Sequence, residues 1–332
     1  MYYADKINSL RDIFGTQQIV VEHDAITVNG RKYPVINDVI VATSVEQYTP
    51  FVRQQINTQL SASGQKAAAY APDIQFTFGE EWKIYNTLLP EHIQEFDRYF
   101  DLVDIEGLKN ARVGDLGCGM GRWSYFLKDR VRELVLVDFS DAIFVARKNL
   151  ADAANGIFIM ADLQRLPLKD DFADFIFSLG VLHHLPTPCL DEVRRLKRFA
   201  PRLLVFLYYA LDNRPVYFRV LLQLVTLVRR MVCRINNAAF RRLFARAGVY
   251  FIYLPLIVLG KAVRPLKLSR YVPLYEFYHD KTVRRIEQDV YDRFFTRIEQ
   301  RVTRREIMLL RDTFSNVTIS GAIPYWHFVC TR

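Results

Sequence analysis

The amino-acid sequence predicts an α/β fold, a parallel sheet with helices on both faces, and three observations predict it. Between residues 111 and about 208, short apolar runs alternate with segments of helical spacing, the pattern of successive β–α units. The first run leads into "VGDLGCGMGRW", residues 113–123, where Gly117, Gly119 and Gly121 leave the backbone bare as a strand hands over to a helix. Acidic residues stand at or beside the ends of the runs, at Asp115, Asp138 and Asp162. Ligands in such sheets sit beyond the C-terminal strand ends, near the switch point.

Each element follows from local pattern. Residues 1–45 read as a small β module, because Asn29-Gly30 separates two alternating runs in "QQIVVEHDAITVNGRKYPVINDVIVA", a strong hairpin signal. Residues 46–75, with "TQLSASGQKAAAYAPD", read as a linker. The α/β domain then spans 76–209. It opens with helical spacing at Trp82, Tyr85, Leu88 and Leu89, and again at Phe96, Tyr99 and Phe100 after Pro90. Its expected strands are 111–116, 133–138, 156–160, 173–179 and 202–208, with helices starting near 121, 141 and 187. Residues 210–300 break the alternation and read as a helical basic and apolar insertion, a cap over the strand ends. Residues 301–332 return to the domain, "VTISGAIPYWHFVC" giving two closing strands.

Composition bounds the function. With 51% hydrophobic residues a sizeable core is available. The four cysteines, Cys118, Cys189, Cys233 and Cys330, are widely spaced, so neither a zinc ribbon nor a disulfide framework is expected, and no metal site. The first fifteen residues lack a signal peptide's apolar centre, and a cytoplasmic chain is expected. Between Arg194 and Arg270 seventeen Lys/Arg face one acid, Asp212, so this segment is +16 and the remainder of the +9 chain is −7. Such a stretch points to an anionic partner. Arginines 229, 230, 241 and 242 are interleaved with "VLLQLVTLV" and "AGVYFIYLPLIVLG". The second run, Ala247–Gly260, has fourteen uncharged residues, where a helical span needs about 20. An interfacial or buried helical pair is expected there, at the inner face of a membrane.

The glycine turn narrows the ligand. A dinucleotide-binding turn of the GxGxxG type brings a pyrophosphate onto a helix N-terminus. Here Ser124 stands where the last glycine would be. Asp115, two residues before the first glycine, would repel a phosphate and attract an ammonium group. The stretch resembles the first motif of the class I S-adenosylmethionine-dependent methyltransferases, a strand ending in D-x-G-x-G-x-G. Later stations match in order: "LVLVDFS" with Asp138 and Phe139, "IMADLQ" with Ala161, Asp162 and Leu163, and "DFIFSLGVLHHL" with Leu179. The resemblance covers residues 111 to about 208. It implies a Rossmann-like sheet, mostly parallel with an antiparallel last strand, and S-adenosylmethionine as cofactor. It implies that Asp115, Gly117, Gly119 and Gly121 form the turn around the cofactor. Asp138 would stand at the ribose and Ala161, Asp162 and Leu163 at the adenine, with Phe139 and Leu179 also among the cofactor-binding residues. "ITVNGRKYPVINDVIVA" is also similar to a zinc-ribbon-like module found before some such enzymes (type 11-like), here without its cysteines.

Methyl transfer from a sulfonium needs orientation and water exclusion more than a base. His183 and His184 follow the fourth strand, and His279 lies in "YEFYHD". They are the candidate proton acceptors; Trp82, Tyr208, Tyr209 and Tyr275 are the candidate acceptor contacts. Two readings follow. In one, a small or lipid-linked amphipathic acceptor is methylated on oxygen or carbon beneath the cap. In the other, an RNA methyltransferase uses residues 194–270 to track phosphates. The alternation of arginines with long apolar runs weighs against nucleic acid.

Overall fold

The computed structural model describes residues 1–56, 75, 79, 87–89 and 91–332. Its strands are β1 (Ile19–Val21), β2 (Ala25–Val28), β3 (Arg31–Ile36), β4 (Val39–Val41), β5 (Arg112–Leu116), β6 (Glu133–Asp138), β7 (Gly156–Met160), β8 (Phe175–Leu179), β9 (Arg202–Phe206), β10 (Asn316–Ile319) and β11 (His327–Thr331). They form one sheet in the order β1-β2-β3-β4-β7-β6-β5-β8-β9-β11-β10. From β4 to β9 every neighbouring pair is parallel, and β11 runs antiparallel between β9 and β10. The central strands are buried on both faces, β5 and β7 along their whole length, because helices cover both sides of a parallel sheet. This is the Rossmann-like arrangement expected, and its chain order reverses between β5 and β8.

Helices α1 (Ile7–Phe14), α2 (Pro50–Ile56), α3 (His92–Tyr99), α4 (Arg122–Leu127), α5 (Ala142–Asn149) and α6 (Cys189–Leu196) flank this sheet. The N-terminal module does not stand apart. Asn29 and Gly30 turn β2 into β3 with φ of 50° and 77°, the left-handed pair of a tight hairpin. β4 then pairs in parallel with β7, Val39 to Val41 beside Phe158 to Met160. The module thus widens the sheet, and its buried Tyr3, Leu10, Ile13, Ile19 and Ile26 join the same apolar layer as Val135 and Ile157. The expected linker is helical at its start: in α2, Val52 is buried and Phe51 meets Phe144 at 4.9 Å. Among the described residues no group of three His, Cys, Asp or Glu could hold a metal ion.

The insertion is all-helical, as expected. It comprises α7 (Val216–Val232), α8 (Ala238–Gly248), α9 (Leu254–Val263), α10 (Tyr275–Tyr278) and α11 (Val283–Phe295). A π-helical turn, Val249–Tyr253, joins α8 to α9. Pro255 explains it: proline gives no N–H and its ring crowds the carbonyl one turn back, so the helix widens there instead of stopping. Ala245, Val249, Tyr253 and Ile257 from this long helix pack on Ile286, Val290 and Phe294 of α11, a separate apolar core.

Two sequence expectations change here. The fourteen-residue uncharged stretch is part of a continuous helical run, Ala238–Leu266, of 29 residues, long and apolar enough by length and composition to cross a membrane. Its arginines lie at the ends, which hid its length in the sequence. One face is nevertheless committed to α11, and the other carries exposed Leu243, Tyr250, Phe251 and Val258. The four arginines also divide. Arg230 and Arg242 are exposed, but Arg229 is buried and donates to the carbonyls of Thr296 and Arg297 at 2.7 and 3.0 Å. Arg241 is buried too, donating to Ile235 O at 2.8 Å and to Asn236 Oδ1 at 2.9 Å.

Candidate functional site

The glycine turn stands at the C-terminal end of β5, and all three glycines have positive φ: 83° at Gly117, 53° at Gly119, 76° at Gly121. L-residues rarely adopt such angles, and space forbids side chains as well. A Cβ on Gly117 would lie 2.5 Å from Val181, and one on Gly121 2.5 Å from Leu150. Gly117 and Gly119 border a cavity; Gly121 packs beneath the turn, at the N-cap of α4.

Asp138 ends β6 facing that cavity. Its Oδ2 accepts from Gly119 N at 2.8 Å, and its Oδ1 from Ser140 N and Oγ at 2.9 and 2.8 Å. These bonds fix the carboxylate against the turn. Burial raises its pKa and the hydrogen bonds from Ser140 and Gly119 oppose the rise. Asp115, expected at the ligand, lies instead behind the turn. Its Oδ2 accepts from Ser124 Oγ at 2.7 Å, and it is not part of the cavity wall. Burial pushes its pKa up to about 8, with Asp138 adding to the rise. No cation pairs with it among the described residues.

At the end of β7, Asp162 and Leu163 line the cavity and Ala161 is buried behind them. Asp162 caps the short helical turn that follows, accepting from Gln164 N at 2.9 Å, and takes Gln47 Nε2 at 3.3 Å. Phe139 and Leu179 complete this end of the wall. Cys118 also borders it, its thiol pushed well up by burial, which suits a spacer and not a nucleophile.

On the far side, His183 and His184 form a turn after β8. His183 is fully buried, its ring 3.9 Å from that of Tyr208, and neither ring nitrogen has a hydrogen-bond partner. Burial, then the neighbouring His184 and Arg301, hold its pKa far below the ordinary value, so it is neutral. His184 borders the cavity with Nδ1 2.8 Å from Ile298 O. Tyr208 and Tyr209 border it as well, Tyr208 donating to Asp292 Oδ2 at 2.7 Å. Tyr275 and His279 do not: Tyr275 is pressed against Gly260 of α9, and His279 stacks on Tyr275 at 5.0 Å. They hold the cap together. Trp82 lies outside the described residues.

The sequence reading missed the largest polar contribution. Helix α11 turns Arg285, Gln288, Asp289, Asp292 and Arg293 toward the cavity. Their spacing of three and four is one face of a helix, and a stripe of five ionisable or amide groups on a helix that otherwise buries Ile286, Val290 and Phe294 was the available signal. Arg285 binds Glu95 of α3, Nε to Oε1 at 3.0 Å, and also pairs with Asp289. This clamp joins the cap to the sheet. The cavity enclosed between strand ends and cap measures about 780 Å³.

Residues 114–199 match a family model described as a methyltransferase domain. A malonyl-[acyl-carrier protein] O-methyltransferase of Geobacter sulfurreducens is 31% identical over 94 residues, 27% of this chain and 35% of that protein. A tRNA U34 carboxymethyltransferase of Shewanella loihica is 35% identical over 98 residues, 28% of this chain and 29% of that protein. The chain thus matches about a third of the length of these curated relatives. A solved methyltransferase from Aquifex aeolicus is 26% identical, with TM-score 0.33, covering 38% of this chain and 71% of that one. S-adenosylmethionine, the cofactor of this class of domain, fits the residues present. Gly117 and Gly119 border the cavity with bare backbone, and Asp138, Asp162 and Leu163 stand at successive strand ends along one wall.

Proposed function

We propose, from the S-adenosylmethionine-dependent methyltransferase domain that residues 114–199 form, that the whole chain methylates an oxygen or carbon of a small or lipid-linked amphipathic acceptor. The observation that carries this reading is the shape of the cavity. It runs from the glycine turn into the cap, and Leu221, Phe251 and Ile252 belong both to its wall and to the exposed surface. An acceptor with an apolar tail can lie with its head at the strand ends and its tail leaving through the cap.

The bound cofactor supplies an activated methyl group. The chain's share is to hold the acceptor in line and exclude water. Tyr208 and the stacked, neutral His183 give a rigid wall beside β9. His184 Nδ1–H donates to Ile298 O, which leaves Nε2 as the ring's acceptor.

The same cap supports attachment to an anionic membrane surface on the cytoplasmic side. Val216, Val220, Leu224, Leu227 and Met231 follow one another along one exposed stripe of α7, with Arg219, Arg230 and Arg234 exposed on the same helix and its end. Apolar residues flanked by basic ones suit an interfacial site. The tRNA-modifying relative favours the second reading, an RNA substrate. The two separate in one assay. Protein and methyl-labelled S-adenosylmethionine are incubated with a total lipid extract or with total RNA. Label in the organic phase is the expected result; label in RNA alone would replace this reading by the second.

A further inference from the structure

Five arginines from the cap and the segments beside it reach the cavity wall: Arg214, Arg270, Arg285, Arg293 and Arg301. Three have a carboxylate: Arg214 pairs with Glu276, Arg285 with Glu95 and Asp289, and Arg301 with Glu299. Arg270 is exposed and donates to Tyr271 Oη at 2.8 Å. Arg293 differs. It sits on α11 at the cavity wall; among the described residues its Nε is buried without a hydrogen-bond partner, and its Nη2 lies 3.5 Å from Tyr278 Oη. No carboxylate among the described residues pairs with it. The acids beside it on the helix are engaged elsewhere. Asp289 takes Arg285 and Tyr278, and Asp292 takes the hydroxyls of Tyr208 and Thr296. Arg293 as a whole is half-buried, and Glu299 acts on its charge only from beyond ion-pair distance, so a buried guanidinium N–H is left facing the cavity without an acceptor. Its planar fork is suited to carboxylate or phosphate. From this point the wall runs outward through Phe218, Leu222, Val225 and Phe251.

We infer that Arg293 is the anion-binding residue of the acceptor site, and that the acceptor is an acidic amphiphile whose carboxylate or phosphate lies on Arg293 while its apolar tail follows the cap. This rests on the reading that the cavity holds the acceptor, and it narrows the acceptor class. Tyr278, held by Asp289, fixes one side of the guanidinium. Tyr208, held by Asp292, turns the acceptor head toward β9.

The test uses the full chain saturated with S-adenosylhomocysteine and titrated with dodecanoate, dodecyl phosphate or dodecanol, each below the concentration at which it aggregates. Wild-type protein should bind one of the two anions at least about tenfold more tightly than dodecanol, the worth of one charge-assisted bidentate contact. The preferred anion identifies the acid as carboxylate or phosphate. R293M should lose that preference while binding dodecanol as before, and R293K should keep part of it. Equal binding of anion and dodecanol by wild type overturns the inference. So does a preference that survives R293M but is lost in R230Q/R242Q, which would place the anion on the outer face. In either case S-adenosylhomocysteine binding stands and the methyltransferase reading with it; a wild-type chain that binds no S-adenosylhomocysteine would fail that reading instead.

Discussion

Replacing Glu95 by Gln removes one charge and almost no volume from the junction of cap and sheet. Glu95 is 1% exposed and faces three cations: Arg285 at 3.0 Å, Lys281 at 3.8 Å and Arg122 at 3.9 Å. Burial alone would raise its pKa. The charges of Arg285 and Arg122, the Arg285 hydrogen bonds and then Lys281 outweigh burial and hold it at about 2, against an ordinary 4.5. At roughly 1.4 kcal/mol per unit the carboxylate contributes about 3 kcal/mol, close to the cost of breaking a buried pair from one side. A lowered folded-state pKa means that this stability is fully present above about pH 4.5 and is lost as pH falls toward 2. Urea unfolding of wild type and E95Q at pH 7.5 and pH 3 is the assay. The difference should be about 3 kcal/mol at pH 7.5 and roughly half that at pH 3. A difference under about 1 kcal/mol at pH 7.5, or one that does not shrink with acid, would refute the electrostatic account of the junction.

Asp115 has the opposite sign. Its pKa is raised to about 8, so the cofactor-free folded chain keeps a proton that the unfolded chain releases near pH 4, and stability falls as pH rises from about 4 to 8. D115N should flatten that slope in thermal unfolding without cofactor; an unchanged slope would place the proton elsewhere. The cap should sediment with vesicles in proportion to their anionic lipid, less so at high salt. Exchanging the exposed Arg230, Arg242 and Arg246 for Gln should weaken this, each contributing roughly 1 kcal/mol. No vesicle binding by wild type would leave the exposed stripe of α7 without this role.

How much was legible differs from one part to another. The strands from β5 to β9 and the closing pair were readable within a few residues, because both-face burial imposes continuous apolar runs and the turns carry glycine or acid. That Gly117, Gly119, Asp138 and Leu163 border one cavity follows for the same reason: strand ends are local features. What depends on tertiary placement was not readable. No pattern in "NDVIVA" announces that β4 will join β7, since parallel pairing has no local turn. Arg229 and Arg230 are adjacent and alike in sequence, yet one is buried on Thr296 O and the other is exposed. Tyr275 and His279 sat in an aromatic cluster that looked like a pocket and proved to be packing on Gly260. Arg293 was passed over because a charged residue on a helix is ordinarily solvated, and only the fold shows that this one faces a cavity.

On the proposed function, the turn after β5 and the acid at the end of β6 together form an S-adenosylmethionine site. Calorimetric titration of wild type and D138A with S-adenosylmethionine tests it most directly. Asp138 holds Gly119 N and faces the cavity, so its loss removes the brace of the turn and, if the site is as proposed, a contact to the ribose. Wild type should bind, and D138A should bind more weakly by roughly 1–3 kcal/mol, the range for a hydrogen bond to a charged group. Equal affinity in the two proteins, or tight binding of NADH by wild type in place of S-adenosylmethionine, would contradict it.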